Sequence, residues 1–421
     1  MMRRLPLIFL LTVAAVQPAS PMSPMSPPGL LPTEVARPLL EQDPAVAAAR
    51  AALDVALQES GILDSSPYEW TARATGQRRV QDYGPDDSAT GKRKEWSASL
   101  ERTIRLPGKA AADRNLGKAT VEESQARYGA ALQQAARELM AAWVDSLAAE
   151  RARELSEKSL QSAQANLSVV EKRVRAGDAS KLDLSIASAE LAEQRRLDND
   201  AKTQASVAWS RLSTHFPGIT RQMRALPMPL PIEDNAVTWR DRILAESDQL
   251  KIAQTQTRIA QAQAERARAD KIPDPTIGLY TASEADGRER VSGVMISIPI
   301  PGGGRDSRSA KANAVEEVSR QQLEVARRQI ETEIASAVAS ARGAYESLQI
   351  ANEGAVAMQE NADLMQRAYG LGEAELQALL LTRRQTTAAL NSALQTQVAA
   401  LKAYYGLLID AHLIWGLKHD E

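Results

Sequence analysis

The sequence predicts a mainly α-helical protein with a small β part, in which one structural plan occurs twice. Three observations predict this fold class. Short segments of alternating polarity end in proline and glycine, long runs without proline follow them, and a glycine-marked break divides each run. The same landmarks recur 195 residues apart, since Gly177 corresponds to Gly372 and Leu184 to Leu379. Such self-similarity is typical of a duplicated unit, here two strands followed by a long helical hairpin.

The composition favours long helices and excludes several classes of protein. Only 4 % of the 421 residues are aromatic, which is fewer than a compact core usually contains. The net charge is −2 with both signs interleaved, so no basic footprint for nucleic acid is present. The chain has no cysteine and only three histidines, which excludes disulfides, thiolate metal sites and cysteine nucleophiles. We therefore expect no catalytic residue, no cofactor and no metal site.

The first residues have the pattern of an export signal. Arg3 and Arg4 precede an apolar stretch, residues 5–16, that is too short to span a bilayer comfortably. We predict a signal peptide over residues 1–21, with an approximate end, and an uncleaved anchor as the alternative. Because no later stretch reaches 18 consecutive apolar residues, no membrane-spanning helix is predicted.

Two repeats and a linker follow. The first repeat is predicted over 22–216, with a helix, strands at 66–80 and 94–106, and a coiled-coil hairpin at 109–216 whose tip lies near residue 177. The linker, 217–234, contains four prolines and cannot be continuous helix. The second repeat is predicted over 235–421, with a helix, strands at 275–284 and 291–301, and a hairpin at 305–417 whose tip lies near residue 372.

The hairpin helices have the coiled-coil period. Leu160, Leu167 and Val174 are seven residues apart, and a similar stripe runs from Leu380 to Leu408. A sevenfold apolar stripe makes a helix supercoil with a neighbour. A run of about 65 helical residues at 1.5 Å each is roughly 100 Å long. Such a hairpin must pack against its own return helix and against other chains.

The predicted strands alternate between apolar and polar residues. In the second strand, Trp96, Ala98 and Leu100 lie on one face and the charged Glu95 and Glu101 on the other. Alternation over about ten residues is typical of a half-buried strand, either in a soluble sheet or in an outer-membrane barrel. In a barrel the polar face would line the lumen, and the charged candidates for that lining are Glu69, Arg73, Glu95 and Glu101.

Four strands are too few to form a closed barrel in one chain. The smallest outer-membrane barrels have about eight strands, and an open sheet edge is not tolerated in lipid. Closure therefore needs several chains. Three chains would supply twelve strands, and the same threefold symmetry would close the helices into a tube.

Two turn motifs and two strand-to-helix corners carry a family resemblance. The segment 175–184, RAGDASKLDL, and the segment 369–380, YGLGEAELQALL, resemble the tip motifs of the outer membrane factor (TolC-like) family. Residues 103–109, TIRLPGK, and 297–304, SIPIPGGG, are similar to the corners of its heavy-metal cation efflux branch, the CzcC and CusC type. The resemblance covers nearly the whole chain, from about Thr33 to Trp415.

The resemblance implies a fold and a function. The fold is a trimeric 12-stranded β-barrel continued by an α-helical barrel, placed in the outer membrane and extending into the periplasm. The function is that of a passive exit duct for heavy-metal cations such as cobalt, nickel, zinc or cadmium. Its partners are a periplasmic adaptor (membrane fusion protein), an inner-membrane RND pump and outer-membrane lipid. The alternatives are a duct for drug efflux or type I secretion, or a soluble periplasmic adaptor.

The resemblance also implies site residues at the two tips. The adaptor-docking candidates are Gly177, Ser180, Asp183, Leu184, Gly372 and Leu379, and the alternative for each is that it only turns the chain. The aperture candidates are Tyr369, Glu373 and Glu375. The chain departs from the family in having Ala378 and Leu381 where its best-known member has aperture aspartates. It also lacks the lipidated N-terminal cysteine of many metal-branch members.

Overall fold

A computed structural model describes residues 27, 29–81, 91–221, 225–233 and 235–417 of the chain. The first repeat contains these elements, in chain order: α1 Thr33–Glu41, α2 Pro44–Asp64, β1 Thr71–Gln81, β2 Gly91–Thr103, α3 Pro107–Ala176 and α4 Lys181–His215. The second repeat contains α5 Ala236–Glu246, α6 Asp248–Ala269, β3 Thr276–Glu284, β4 Glu289–Ser297, α7 Gly304–Leu371 and α8 Leu376–Asp410. Within this part of the chain, no helix combines the length and the apolar character needed to cross a membrane.

The predicted fold class is confirmed. The two hairpins match closely, since α3 has 70 residues and α7 has 68, while α4 and α8 have 35 each. One difference lies upstream of the second hairpin, where the predicted helix is divided into α5 and α6. Ser247 breaks it because its backbone is extended and its side chain accepts a hydrogen bond from the N–H of Leu250, which starts a new helix.

The strands form one antiparallel sheet in the order β1-β2-β3-β4. The central pairing of β2 with β3 joins the two repeats and places Leu100 opposite Leu279. In the described sheet, β1 and β4 each have a neighbouring strand on one side only.

All four strands differ from prediction in their bounds, the third by a single residue. The first begins at Thr71 instead of residue 66, the second covers 91–103 instead of 94–106, and the fourth ends at Ser297 instead of 301. Pro299 and Pro301 explain the last difference, since proline has no N–H to donate to a sheet.

The main hydrophobic core lies at the middle of the long helices. Trp143 of α3 is almost fully buried and donates its indole N–H to the backbone oxygen of Gly29 at 2.9 Å. Trp415 makes the matching bond to the oxygen of Leu31, also at 2.9 Å. Ile219, from the proline-rich linker, joins the same cluster. The two ends of the described chain and the linker therefore pack into the same core as the helices.

A buried network of charges joins the sheet to the helices. The ammonium group of Lys109, only 3 % exposed, lies 3.0 Å from Asp274 and 3.3 Å from Asp270. Asp113 lies 3.0 Å from Arg105 and 2.7 Å from Arg266. Since these residues come from α3, α6 and the segments beside β2 and β3, the network joins the strand-to-helix corner of the first repeat to the helix-to-strand segment of the second.

Candidate functional site

The sheet has one apolar and one polar face, and the apolar face is exposed. Register places Ala98 opposite Ala74 and Thr281, and Leu279 opposite Val294. The large side chains of this face lie in the open, with Trp96 53 % and Val294 66 % exposed. A contiguous exposed apolar surface of this kind marks a contact with another apolar phase or with a partner.

The polar face carries three of the four predicted lumen residues. Glu95 is buried, accepts a hydrogen bond from Gln77 at 2.7 Å and lies 3.3 Å from Arg79. Arg73 and Glu101 lie on the same face with their charged groups 3.8 Å apart. Glu69, the fourth, precedes β1 and lies outside the sheet. The charges of this face are therefore largely paired with one another.

The first tip is closed by a glycine and a capping box. Gly177 ends α3 in the left-handed conformation, and the N–H of Asp178 reaches back to the oxygen of Arg173 at 2.8 Å. Ser180 caps α4 by accepting a hydrogen bond from the N–H of Asp183, whose carboxylate accepts one from the N–H of Ser180, each at 3.0 Å. The side chains of Ser180 and Asp183 thus already have structural partners at this turn.

The second tip has the same turn without the same cap. Gly372 is left-handed, and the N–H of Glu373 donates to the oxygen of Ala368 at 2.9 Å. Glu375 stands in the capping position but accepts no side-chain capping bond. The carboxylates of Glu373 and Glu375 are exposed beside the N-terminus of α8, where the partial positive charge of a helix favours anions.

A small core lies directly behind the two tips and joins them. Tyr369 and Leu379 are buried in it with Val170 of the first hairpin, and Leu184 packs against it. The guanidinium of Arg173 lies 5.2 Å from the centre of the Tyr369 ring, within the range of a cation–π contact. Leu379 is 0 % exposed, so its side chain is not part of the tip surface.

Two other leucines present the apolar surface at the tips. Leu182 is 65 % exposed at the first tip and Leu371 is 76 % exposed at the second. Sequence reasoning missed both. In both cases the sequence pattern was a leucine close to a turn residue: Leu371 directly precedes Gly372, and Leu182 follows Ser180 by two residues. A solvent-exposed turn is normally built from polar residues, so an apolar residue there indicates a contact surface.

Among the described residues, no group of three or more His, Asp or Glu side chains could hold a metal ion. His412 is buried, with ring nitrogens 3.9 Å from Glu246 and 3.8 Å from Asp248. His419 lies outside the described residues.

Comparisons with known proteins agree with this architecture. Residues 35–215 and 239–407 match the model of the outer membrane efflux protein family. No curated protein matches the chain by sequence.

Solved structures show the same fold at low identity. The chain is similar to crystal structures of CusC, with a TM-score of 0.72 and 16 % identity over 90 % of this chain and 91 % of that one. It is also similar to the open state of the Neisseria gonorrhoeae MtrE outer membrane channel, with a TM-score of 0.70 and 17 % identity over 92 % of this chain and 89 % of that one. For the Campylobacter jejuni CmeC outer membrane channel, the TM-score is 0.67 and the identity 16 %, over 91 % of this chain and 85 % of that one. Since the family model covers most of its length, the chain belongs to the outer membrane efflux protein family.

Proposed function

We propose that this protein is the outer-membrane channel of a tripartite efflux system, where it acts as a passive exit duct. The observation that carries the proposal is the sheet, with its exposed apolar face and its two outer strands that each lack one neighbour. Lipid covers an apolar face well but cannot satisfy the unpaired backbone groups of an open edge. The sheet therefore needs other chains to complete it, and membership of the outer membrane efflux protein family supports the same conclusion.

A homotrimer is the assembly that we propose. Three copies of the four-stranded sheet would give a barrel of twelve strands, within the range of outer-membrane barrels. In such a barrel β1 of one subunit pairs with β4 of the next. The polar face, with Arg73, Glu95 and Glu101, would then line the lumen.

Cross-linking tests this arrangement directly, because the chain has no cysteine of its own. Cysteines replacing Ala74 in β1 and Val294 in β4 are expected to give covalent dimers and trimers with a short bis-maleimide. The matched control pairs Val294→Cys with Ala98→Cys in β2, which is not an edge strand. Monomers alone from the β1–β4 pair, or equal products from both pairs, would contradict the proposed closure.

A conductance measurement tests the channel itself. The purified protein, added to a planar lipid bilayer, is expected to give discrete current steps. Recovery of the folded protein as a water-soluble monomer that gives no current would favour a periplasmic adaptor role instead.

The proposed partners are a periplasmic adaptor at the tips and an inner-membrane RND pump. The exposed Leu182 and Leu371 lie near the turns at Gly177 and Gly372. They offer a small apolar surface against which the end of an adaptor could pack. Replacing both leucines with glutamate is expected to abolish efflux without changing the amount of folded channel. Efflux at the original level would remove the tips as the docking surface.

The proposed substrates are heavy-metal cations of the cobalt, nickel, zinc and cadmium type. This finer proposal is supported by the corners at 103–109 and 297–304, which resemble the heavy-metal branch of the family. A deletion strain is expected to become sensitive to these cations, with resistance restored by the intact gene. Sensitivity to drugs alone, or loss of protein secretion alone, would assign the channel to one of the other two uses.

A further inference from the structure

A cavity of about 720 Å³ lies between the two hairpins, behind the tip core. Its walls come from all four long helices, including Ser162 of α3, Glu190 of α4, Gln366 of α7 and Arg383 of α8. A ligand in this space would therefore touch both repeats at once.

The lining of the cavity is positively charged. Four cationic side chains, Arg151, Lys158, Arg383 and Arg384, line it with two carboxylates, Glu190 and Asp363. Arg151 is paired with Glu154, which lies outside the lining, at 2.8 Å, so the excess positive charge comes from the other three cations. Glu190 is already engaged, because Arg384 donates to it through Nε at 3.1 Å and through Nη2 at 2.5 Å, and Gln194 donates at 2.9 Å.

Among the described residues, the hydrogen-bond partners of Arg383 are neutral. Its Nη1 donates to the backbone oxygen of Ser162 at 3.4 Å and its Nη2 to the amide oxygen of Gln366. Within the described chain, no carboxylate forms an ion pair with Arg383, and Glu190 acts on it only from a distance. Burial lowers the pKa of Arg383, yet an arginine in a protein keeps its proton. Arg383 is half-buried, so water solvates its charge only in part, and an anion entering the cavity would offset that loss.

We propose that this cavity is a binding site for a small dicarboxylate, held by the guanidinium of Arg383 with Arg384 beside it. The planar fork of a guanidinium matches the two oxygens of a carboxylate. Lys158, on the wall formed by α3, offers a point charge to the second carboxylate. Because the walls belong to both hairpins, the bound anion stabilises their present arrangement over any arrangement that separates them.

Calorimetric titration of the purified full-length protein in detergent with succinate tests the site, at constant ionic strength set with chloride. Saturable binding in the millimolar range or tighter is expected. Arg383→Gln is expected to raise the Kd about tenfold or more, the effect of losing a charged hydrogen-bonding group. Arg383→Lys, which keeps the charge and loses the fork, is expected to lie between the two. The matched control is Arg327→Gln on the exposed part of α7, where Arg327 pairs with Glu331 and lies outside the cavity. Its Kd is expected to equal that of the original protein.

A second variant is expected to increase the affinity for succinate, a result that misfolding cannot produce. Glu190→Gln removes the competing carboxylate and releases Arg384 toward the cavity, so succinate is expected to bind more tightly. Inorganic phosphate, titrated in parallel, is expected to bind more weakly than succinate. Absence of saturable succinate binding, an unchanged Kd in Arg383→Gln, weaker binding by Glu190→Gln, or a preference for phosphate would each overturn the proposal.

Discussion

Two glycines determine how the long helices turn back at the tips. Gly177 and Gly372 have φ angles of 85° and 79°, in the left-handed region that side chains disfavour. A Cβ atom at either position would meet no other atom within 4 Å. Any cost of substitution there is therefore a cost of backbone conformation and not of crowding.

Replacing these glycines with alanine isolates that cost. We expect Gly177→Ala and Gly372→Ala each to lower the free energy of unfolding by about 1–2 kcal/mol, the cost of a left-handed conformation for a residue with a Cβ atom. The matched control is Gly354→Ala at an exposed position inside α7, which has equal space and should raise stability by about 0.5–1 kcal/mol. Urea unfolding measures all three, and a loss of stability in Gly354→Ala would contradict the reasoning.

Asp274 predicts how the strand-to-helix corner responds to acid. Burial raises the pKa of its carboxyl, but hydrogen bonds from Tyr68, from the N–H of Leu106 and from Lys109 outweigh burial and hold the pKa below its ordinary value. A carboxyl whose pKa is lower in the folded than in the unfolded chain stabilises the fold above its unfolded pKa. That stability is lost as the pH falls through the lower, folded value.

We therefore expect the midpoint of urea unfolding to fall as the pH drops below about 4, the ordinary value for aspartate. Asp274→Asn should lower the midpoint at neutral pH and make the acid decline shallower. The control is Asp178→Asn at the exposed first tip, which should leave the acid decline unchanged. Parallel declines in Asp274→Asn and the original protein would show that other carboxyls govern acid unfolding.

The exposed carboxylates of Glu373 and Glu375 predict the ion preference of the aperture. Three copies of this pair would place a ring of negative charge at the second tip, which attracts cations. Replacing both with glutamine is expected to lower the cation preference of single-channel currents. Glu353→Gln, in α7 and away from the tip, is a control that should change nothing. Unchanged selectivity in the double variant would assign the preference to another part of the channel.

At the scale of the helix, the two hairpins use different means to begin the returning helix. The capping box of Ser180 and Asp183 satisfies backbone N–H groups of α4, and Glu375 has no such bond at α8. Ser180→Ala is expected to cost about 1 kcal/mol, while Glu375→Ala should cost much less. Thermal unfolding compares them, with Ser185→Ala inside α4 as a control for the loss of a hydroxyl. Equal losses from Ser180→Ala and Ser185→Ala would show that the box adds nothing.

Elements could be predicted from the sequence because their signals are local, and their ends could not because the deciding bonds are distant. The tip glycines and the alternation around Trp96 are visible in the sequence itself. The second strand was predicted to reach 106, but the N–H of Leu106 donates to the side chain of Asp274 at 3.0 Å instead of to a strand. Its partner lies 168 residues away along the chain, so no local pattern could reveal it.

Side-chain exposure at the tips likewise depends on contacts between residues that are distant in the sequence. Leu379 and Leu371 are both leucines near Gly372, yet one is fully buried and the other is 76 % exposed. What separates them is the packing of α8 against Val170 of the other hairpin. Heptad spacing predicts that a stripe is buried, but which neighbour covers each position depends on the arrangement of all four helices.

At the scale of the whole molecule, few contacts join the two hairpins close to their tips. Arg173 over the ring of Tyr369 and the leucines behind it form the last of these contacts before the turns. Whatever separates the hairpins must break this core. In the proposed trimer it would occur three times around the aperture, so its strength would set how readily the duct opens.

Substitutions of Tyr369 test whether the tip core controls opening of the duct. Tyr369→Ala should leave a cavity in the tip core, at a cost of about 3–5 kcal/mol for a large buried ring, and the hairpins would be held together less firmly at their tips. We expect its conductance in planar bilayers, without adaptor, to exceed that of the original channel. Tyr369→Phe keeps the ring beneath Arg173 and should conduct like the original, and Tyr345→Ala, higher on α7, controls for the loss of a tyrosine. If Tyr369→Ala and Tyr369→Phe conduct equally, the tip is held closed by contacts between subunits and not by this core.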